Sequence, residues 1–180
     1  MLERYISNPT QLTGLLSFAA ATIACLIATR RSRSRDARTW RLLALMNCLF
    51  LIEIYFGLRF RIAELAIMLL KTRGVYAKLH GLTQEIMIVA IATIALVFVT
   101  LFLFWRQGAG GAARLAASIT IAVSALFAIE MVSLHAVDAV FYRPIGPVLM
   151  IGWVWVIAAA GICAAAIQFA YGSLEDEDRG

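Results

Sequence analysis

A chain of 180 residues that is 62% hydrophobic, with a mean hydropathy of +0.86, lies far outside the usage of soluble domains. A membrane span needs about 20 mainly apolar residues, so the length holds five or six spans and leaves no room for a separate soluble domain. The formal charge of +5 does not indicate a nucleic-acid partner. Six of the sixteen basic residues crowd into positions 30–41 beside an apolar run, where they act as a topology signal.

Residues 1–11 are short and polar, and the first apolar run, 12–29, meets the arginine-rich stretch at once. A cleaved signal peptide carries its positive charge before the apolar core; here the charge follows it, which predicts a retained first helix. The second run covers 40–58 and is interrupted by Glu53. Residues 60–70 are strongly apolar, with Arg61, Glu64 and Lys71 three and seven apart on one stripe. They predict a short interfacial helix over about 60–72, its basic side chains reaching toward lipid phosphates, in preference to a tilted extension of the second span.

The third run, 86–105, has 20 residues and no charge. Residues 107–113, rich in Gly and Ala, read as a flexible connector, because a phosphate loop needs a preceding strand and a Lys-Ser/Thr ending. The fourth span is expected over 115–135 and the fifth over 147–171, with an acidic, flexible tail at 173–180. Between them, Tyr-Arg-Pro-Ile-Gly-Pro at 142–147 forms a hinge. Pro144 biases Arg143 to extended geometry, Gly146 frees the turn, and Pro147 suits the first turn of the last helix.

These elements predict an all-α membrane protein: one bundle of about five transmembrane helices plus the interfacial helix. Placing the arginine-dense connection inside puts the N-terminus outside and the C-terminus in the cytoplasm, in a plasma (inner) membrane. Trp40 and Trp105 would then mark one interface, and Trp153 and Trp155 the other. Small residues around Gly161 and Ala165 predict close packing of the last two spans.

Ionisable groups inside a membrane are expensive, so Glu53 and Glu130 are site candidates. At 1.5 Å per residue, Glu53 lies roughly 16 Å from position 42 and Glu130 roughly 22 Å from position 115, which places both in the outer half and lets them face one cavity. His135 and Asp138, three apart on a continuing helix, share a face with Tyr142, and a carboxylate that fixes a histidine tautomer suits acid-base work. Glu130 is five residues from His135, about 140° round a helix, so the three acidic and imidazole groups do not converge on one ion. No metal site is assigned. Tyr142, Arg143, Arg59 and Arg61 are candidates for holding an anionic head group or ligand.

Cys25, Cys48 and Cys163 are isolated within apolar runs and read as small buried side chains, without the paired thiols that a quinone-linked thiol oxidase requires. Catalytic side chains are scarce and all loops but one are short. The chain therefore reads as a noncatalytic carrier or accessory membrane subunit that binds a lipophilic ligand or a protein partner. The alternatives are a membrane-embedded enzyme that uses Glu53, Glu130, His135 and Asp138 at its outer face on a lipid-like substrate, or a small proton-coupled transporter. The expected partners are the lipid bilayer, a membrane protein or a second copy of the chain, and no nucleic acid. Which cofactor, if any, it takes is not specified by these residues.

Overall fold

The computed structural model describes residues 8–32, 34–57, 61, 68, 72, 110–132 and 139–177, of which 34–35, 131–132 and 173–177 are described by backbone alone. Four long helices dominate: α1 (Pro9–Arg31), α2 (Ser34–Phe56), α3 (Gly111–Val132) and α4 (Met150–Glu177). A two-stranded hairpin, β1 (Pro144–Ile145) and β2 (Val148–Leu149), precedes α4. All four helices are long and apolar enough to cross a membrane.

Each apolar run among the described residues lies mostly within a helix that outlasts it at one end or both. The Asn8 side chain caps α1 by accepting the Gln11 N–H at 3.2 Å, and Pro9 opens it where a missing N–H costs nothing. Arginine is a good helix former, so α1 continues to Arg31 and α2 begins at Ser34, six residues before the expected start. The arginine-rich stretch thus holds the end of α1 and the start of α2, only two residues apart. At its other end α2 stops at Gly57, whose φ of 60° and N–H bond to the Glu53 carbonyl at 2.7 Å form a left-handed cap.

Residues 111–113, expected in a flexible connector, are the first turn of α3. Pro147, expected to open the last helix, sits instead in the turn of the hairpin, and α4 begins at Met150. Gly146 adopts φ 68°, the conformation that the first central residue of a tight hairpin turn demands, and the fixed ring of Pro147 follows it. Pro144 pairs with Leu149 and Ile145 with Val148. The third expected span, 86–105, lies outside the described residues. So does most of the expected interfacial helix, of which Arg61, Met68 and Thr72 are described as helical and exposed.

The helices pack around two clusters stacked end to end, with α2 and α3 running from the arginine end toward the cavity and α1 and α4 running the other way. One is built of small side chains: Ala21, Cys25 and Ala28 of α1, Leu43 and Ala44 of α2, Ala113, Ala116 and Ala117 of α3, and Ala159, Ala165 and Ala166 of α4, with Trp40 and Ile162 filling the space between. The other is aromatic: Phe18, Phe50, Phe127 and Trp155, joined by Ile54, Val123 and Ile151. Buried positions of α1 recur at 10, 14, 18, 21, 25 and 28, the spacing of a single helix face. Leu16, Ile23, Ile27, Leu42, Leu45 and Ile157 point outward.

The tryptophans depart from the expected interface belts. Trp40 and Trp155 are core residues, and Trp153 alone of the described three is exposed. Their depth along the helix was readable from sequence; the face on which they lie was not.

Candidate functional site

Trp155, Ile54 and Ile151 of the aromatic cluster line a cavity of about 310 Å³ at the end of the bundle where α1 begins, α2 ends and the hairpin leads into α4. Phe18 sits 5.3 Å from Phe50 between ring centroids, and Phe127 stacks on Trp155 at 6.0 Å. Aromatic rings cannot interdigitate as closely as the alanines of the opposite end, and the hairpin holds the mouth apart. The lining mixes polar groups (Asn8, Thr10, Gln11, Glu53, Tyr55, Tyr142) with Phe56, Ile151 and Trp155.

Hydrogen bonds fix this lining to three separate elements. Gln11 donates through Nε2 to the Ile54 carbonyl at 2.9 Å, satisfying an acceptor in the last turn of α2 that has no partner within its own helix. Buried Thr10 accepts the Leu149 N–H at 2.9 Å and so ties β2 to α1. The base of the hairpin is closed by Met150 N–H donating to the Arg143 carbonyl at 2.9 Å. Trp153 pins its edge by donating from Nε1 to the Ile145 carbonyl at 3.1 Å.

Gly14 lets Trp155, one of the cavity's walls, lie against α1. A Cβ there would stand 2.6 Å from Trp155 Cε3 and 2.9 Å from Ile54 Cδ1, so only glycine lets the indole lie against α1. Gly152 does the same where α4 passes α1: a Cβ there would meet Val148 Cγ1 at 2.5 Å and Thr10 Cγ2 at 3.2 Å.

The two intramembrane carboxylates lie at this end. Glu53, half-buried, lines the cavity. Glu130 is buried, 6% exposed, and its Oε1 accepts from the Tyr142 hydroxyl at 3.5 Å, while Tyr142 also lines the cavity. Tyr142 therefore stands between the buried carboxylate and the open space. Arg143 and Arg61 are exposed, and neither lines the cavity; the Arg61 N–H donates to the Gly57 carbonyl at 3.3 Å. Arg59, His135 and Asp138 lie outside the described residues. No group of three or more His, Cys, Asp or Glu placed to hold a metal ion occurs among the described residues.

Several lining residues went unnoticed in the sequence. Thr10 and Gln11 precede the apolar run and look like a polar leader, yet their spacing from Asn8 and Pro9 is that of a capped first turn. Asn47 is a second oversight: fully buried in α2, it donates from Nδ2 to the Leu43 carbonyl at 2.8 Å. A lone amide inside an apolar run was its signal. Comparison with protein-family models, with curated proteins and with solved structures finds no match.

Proposed function

We propose that the chain is a multi-pass membrane protein that holds a small ligand in the cavity between α1, α2 and the hairpin, acting as a carrier or accessory subunit without chemistry of its own. The observation that carries this reading is the cavity itself. Its volume is at the lower end of the range for small-molecule sites, and it has the expected mixture of aromatic walls and a few polar groups. A native mass spectrum of the full chain extracted in mild detergent tests it. A small-molecule increment on the wild-type chain that is lost in Glu53→Gln supports the reading, and a bare chain from every extraction overturns it.

Five crossings fit this bundle better than four. α2 ends at the cavity, whereas α3 begins at the opposite end, where the Gly110 N–H donates to Asp36 Oδ1 at 3.4 Å. The intervening chain has to return between the two ends, and the uncharged run 86–105 is long enough to do so. The arginines of the α1–α2 turn lie at the end away from the cavity, so the positive-inside tendency orients the cavity outward in a plasma (inner) membrane. Cysteine labelling at Gly146→Cys from the outside of intact cells checks that orientation.

Glu130 favours one second reading, proton-coupled transport. A buried carboxylate joined to a cavity through a tyrosine hydroxyl has the parts of a short proton path. Reconstituted vesicles with a pH-sensitive dye would report it. Proton flux that persists unchanged in Glu130→Gln removes it.

A further inference from the structure

We infer that the end of the bundle opposite the cavity is a seat for one anionic phospholipid, whose head group is held by Arg30, Arg31, Arg38 and Arg41. The inference rests on the membrane reading above but not on the cavity. All four side chains are exposed, and among the described residues none has an ion-pair partner. Only two residues separate α1 from α2, so the four guanidiniums are confined to one helical corner.

The surface below them is what gives the charge a particular partner. On α2, Arg38 and Arg41 head an outward stripe that continues through Leu42, Leu45 and Leu49 at helical spacing. On α1, Arg30 and Arg31 stand one turn beyond Leu26 and Ile27, which are likewise exposed. On the membrane reading these aliphatic stripes pack against acyl chains, so the head groups that lie at the level of the four cations are those of the lipids seated on the stripes. Clustered basic groups at the edge of membrane helices attract anionic head groups in the same way.

Trp40, between the two α2 arginines, packs on Phe169 of α4 at 5.4 Å between ring centroids. Arg38 and Arg41 stay within about 5 Å of that height along the helix, whereas α4 runs on to Glu177, about 12 Å farther. Asp36, the acid nearest in sequence, accepts the Gly110 N–H.

Native mass spectrometry of the full chain in neutral detergent, with phosphatidylglycerol and phosphatidylcholine of identical acyl chains competing in mixed micelles, tests the seat. Retention should favour phosphatidylglycerol. The preference should fall about fivefold for each guanidinium removed, the factor equivalent to ~1 kcal/mol per basic group, and so roughly twentyfold in Arg38→Gln with Arg41→Gln. Should the double variant not fold, added salt on the wild-type chain decides, because screening erodes an electrostatic preference and spares phosphatidylcholine. Equal retention of the two lipids, a preference insensitive to both the variant and salt, or an acidic protein co-purifying in place of lipid each overturns the inference. A chain that stays soluble without detergent would sink the membrane reading instead, a separate result.

Discussion

The two ends of this bundle solve the same packing problem with opposite materials. At the arginine end, alanines from all four helices let the backbones approach closely, and one large side chain, Trp40, fills what remains. At the cavity end, four large aromatic side chains meet and leave open space above them. Close approach without a solvent-driven hydrophobic force relies on van der Waals contact, which small residues maximise. The comparison teaches that a site here depends on incomplete packing, held open by hydrogen bonds to the hairpin and to the end of α2.

The sharpest way to break the comparison is to remove the ring on which the cavity end turns. Phe18 is fully buried and contacts Phe50, Phe127 and Trp155, so Phe18→Ala should cost about 3 kcal/mol, read as reversible unfolding in detergent micelles. Gly14→Ala comes next: the new methyl meets an indole and an isoleucine with no free path, and overpacking of that kind should cost about 2 kcal/mol and reduce cavity occupancy. Thr10→Val leaves the Leu149 N–H without its acceptor. A loss of about 1 kcal/mol is expected, with faster amide exchange at Leu149 that does not spread to the arginine end.

The smallest effect belongs to the alanine end. A Cβ at Gly161 would meet Ile119 Cδ1 at 2.8 Å, the tip of a side chain that can turn away. With the gain in helix propensity set against that shift, Gly161→Ala should change stability by about 0.5 kcal/mol or less in the same assay. If Gly161→Ala proves as damaging as Gly14→Ala, Ile119 has no room to turn away and the alanine end needs its glycine as strictly as the indole contact does.

The sequence carried the four described helices well, because long, nearly unbroken apolar runs are compatible with few structures other than helices long and apolar enough to cross a membrane. It carried their ends poorly. Hydropathy ends where the hydrocarbon does, but arginines 30, 31, 38 and 41 are good helix formers and continue the helix beyond it. The hairpin was missed because Pro147 satisfies two local rules at once, helix first turn and tight turn. The positive φ of Gly146, together with the pairing of Ile145 with Val148, decides between them.

For the site, rise per residue alone brought Glu53 and Glu130 to one end, but not the tyrosine between them. That link needs the chain to fold back through 139–149, a long-range arrangement that no local pattern encodes. Gly14 was equally silent: a glycine in an apolar run signals close approach without naming the indole, far along the chain, that makes it.

The bond from Thr10 to Leu149 spans 139 residues. On a ribosome that adds about 5–20 residues per second, α1 is therefore in place on the order of ten seconds before its partner α4 exists. During that interval the face bearing Gly14, Phe18 and Ala21 has α2 beside it and no α4, so nascent α1 keeps an unfilled notch. Translation that stops before α4 would strand the earlier helices with that surface still unmatched.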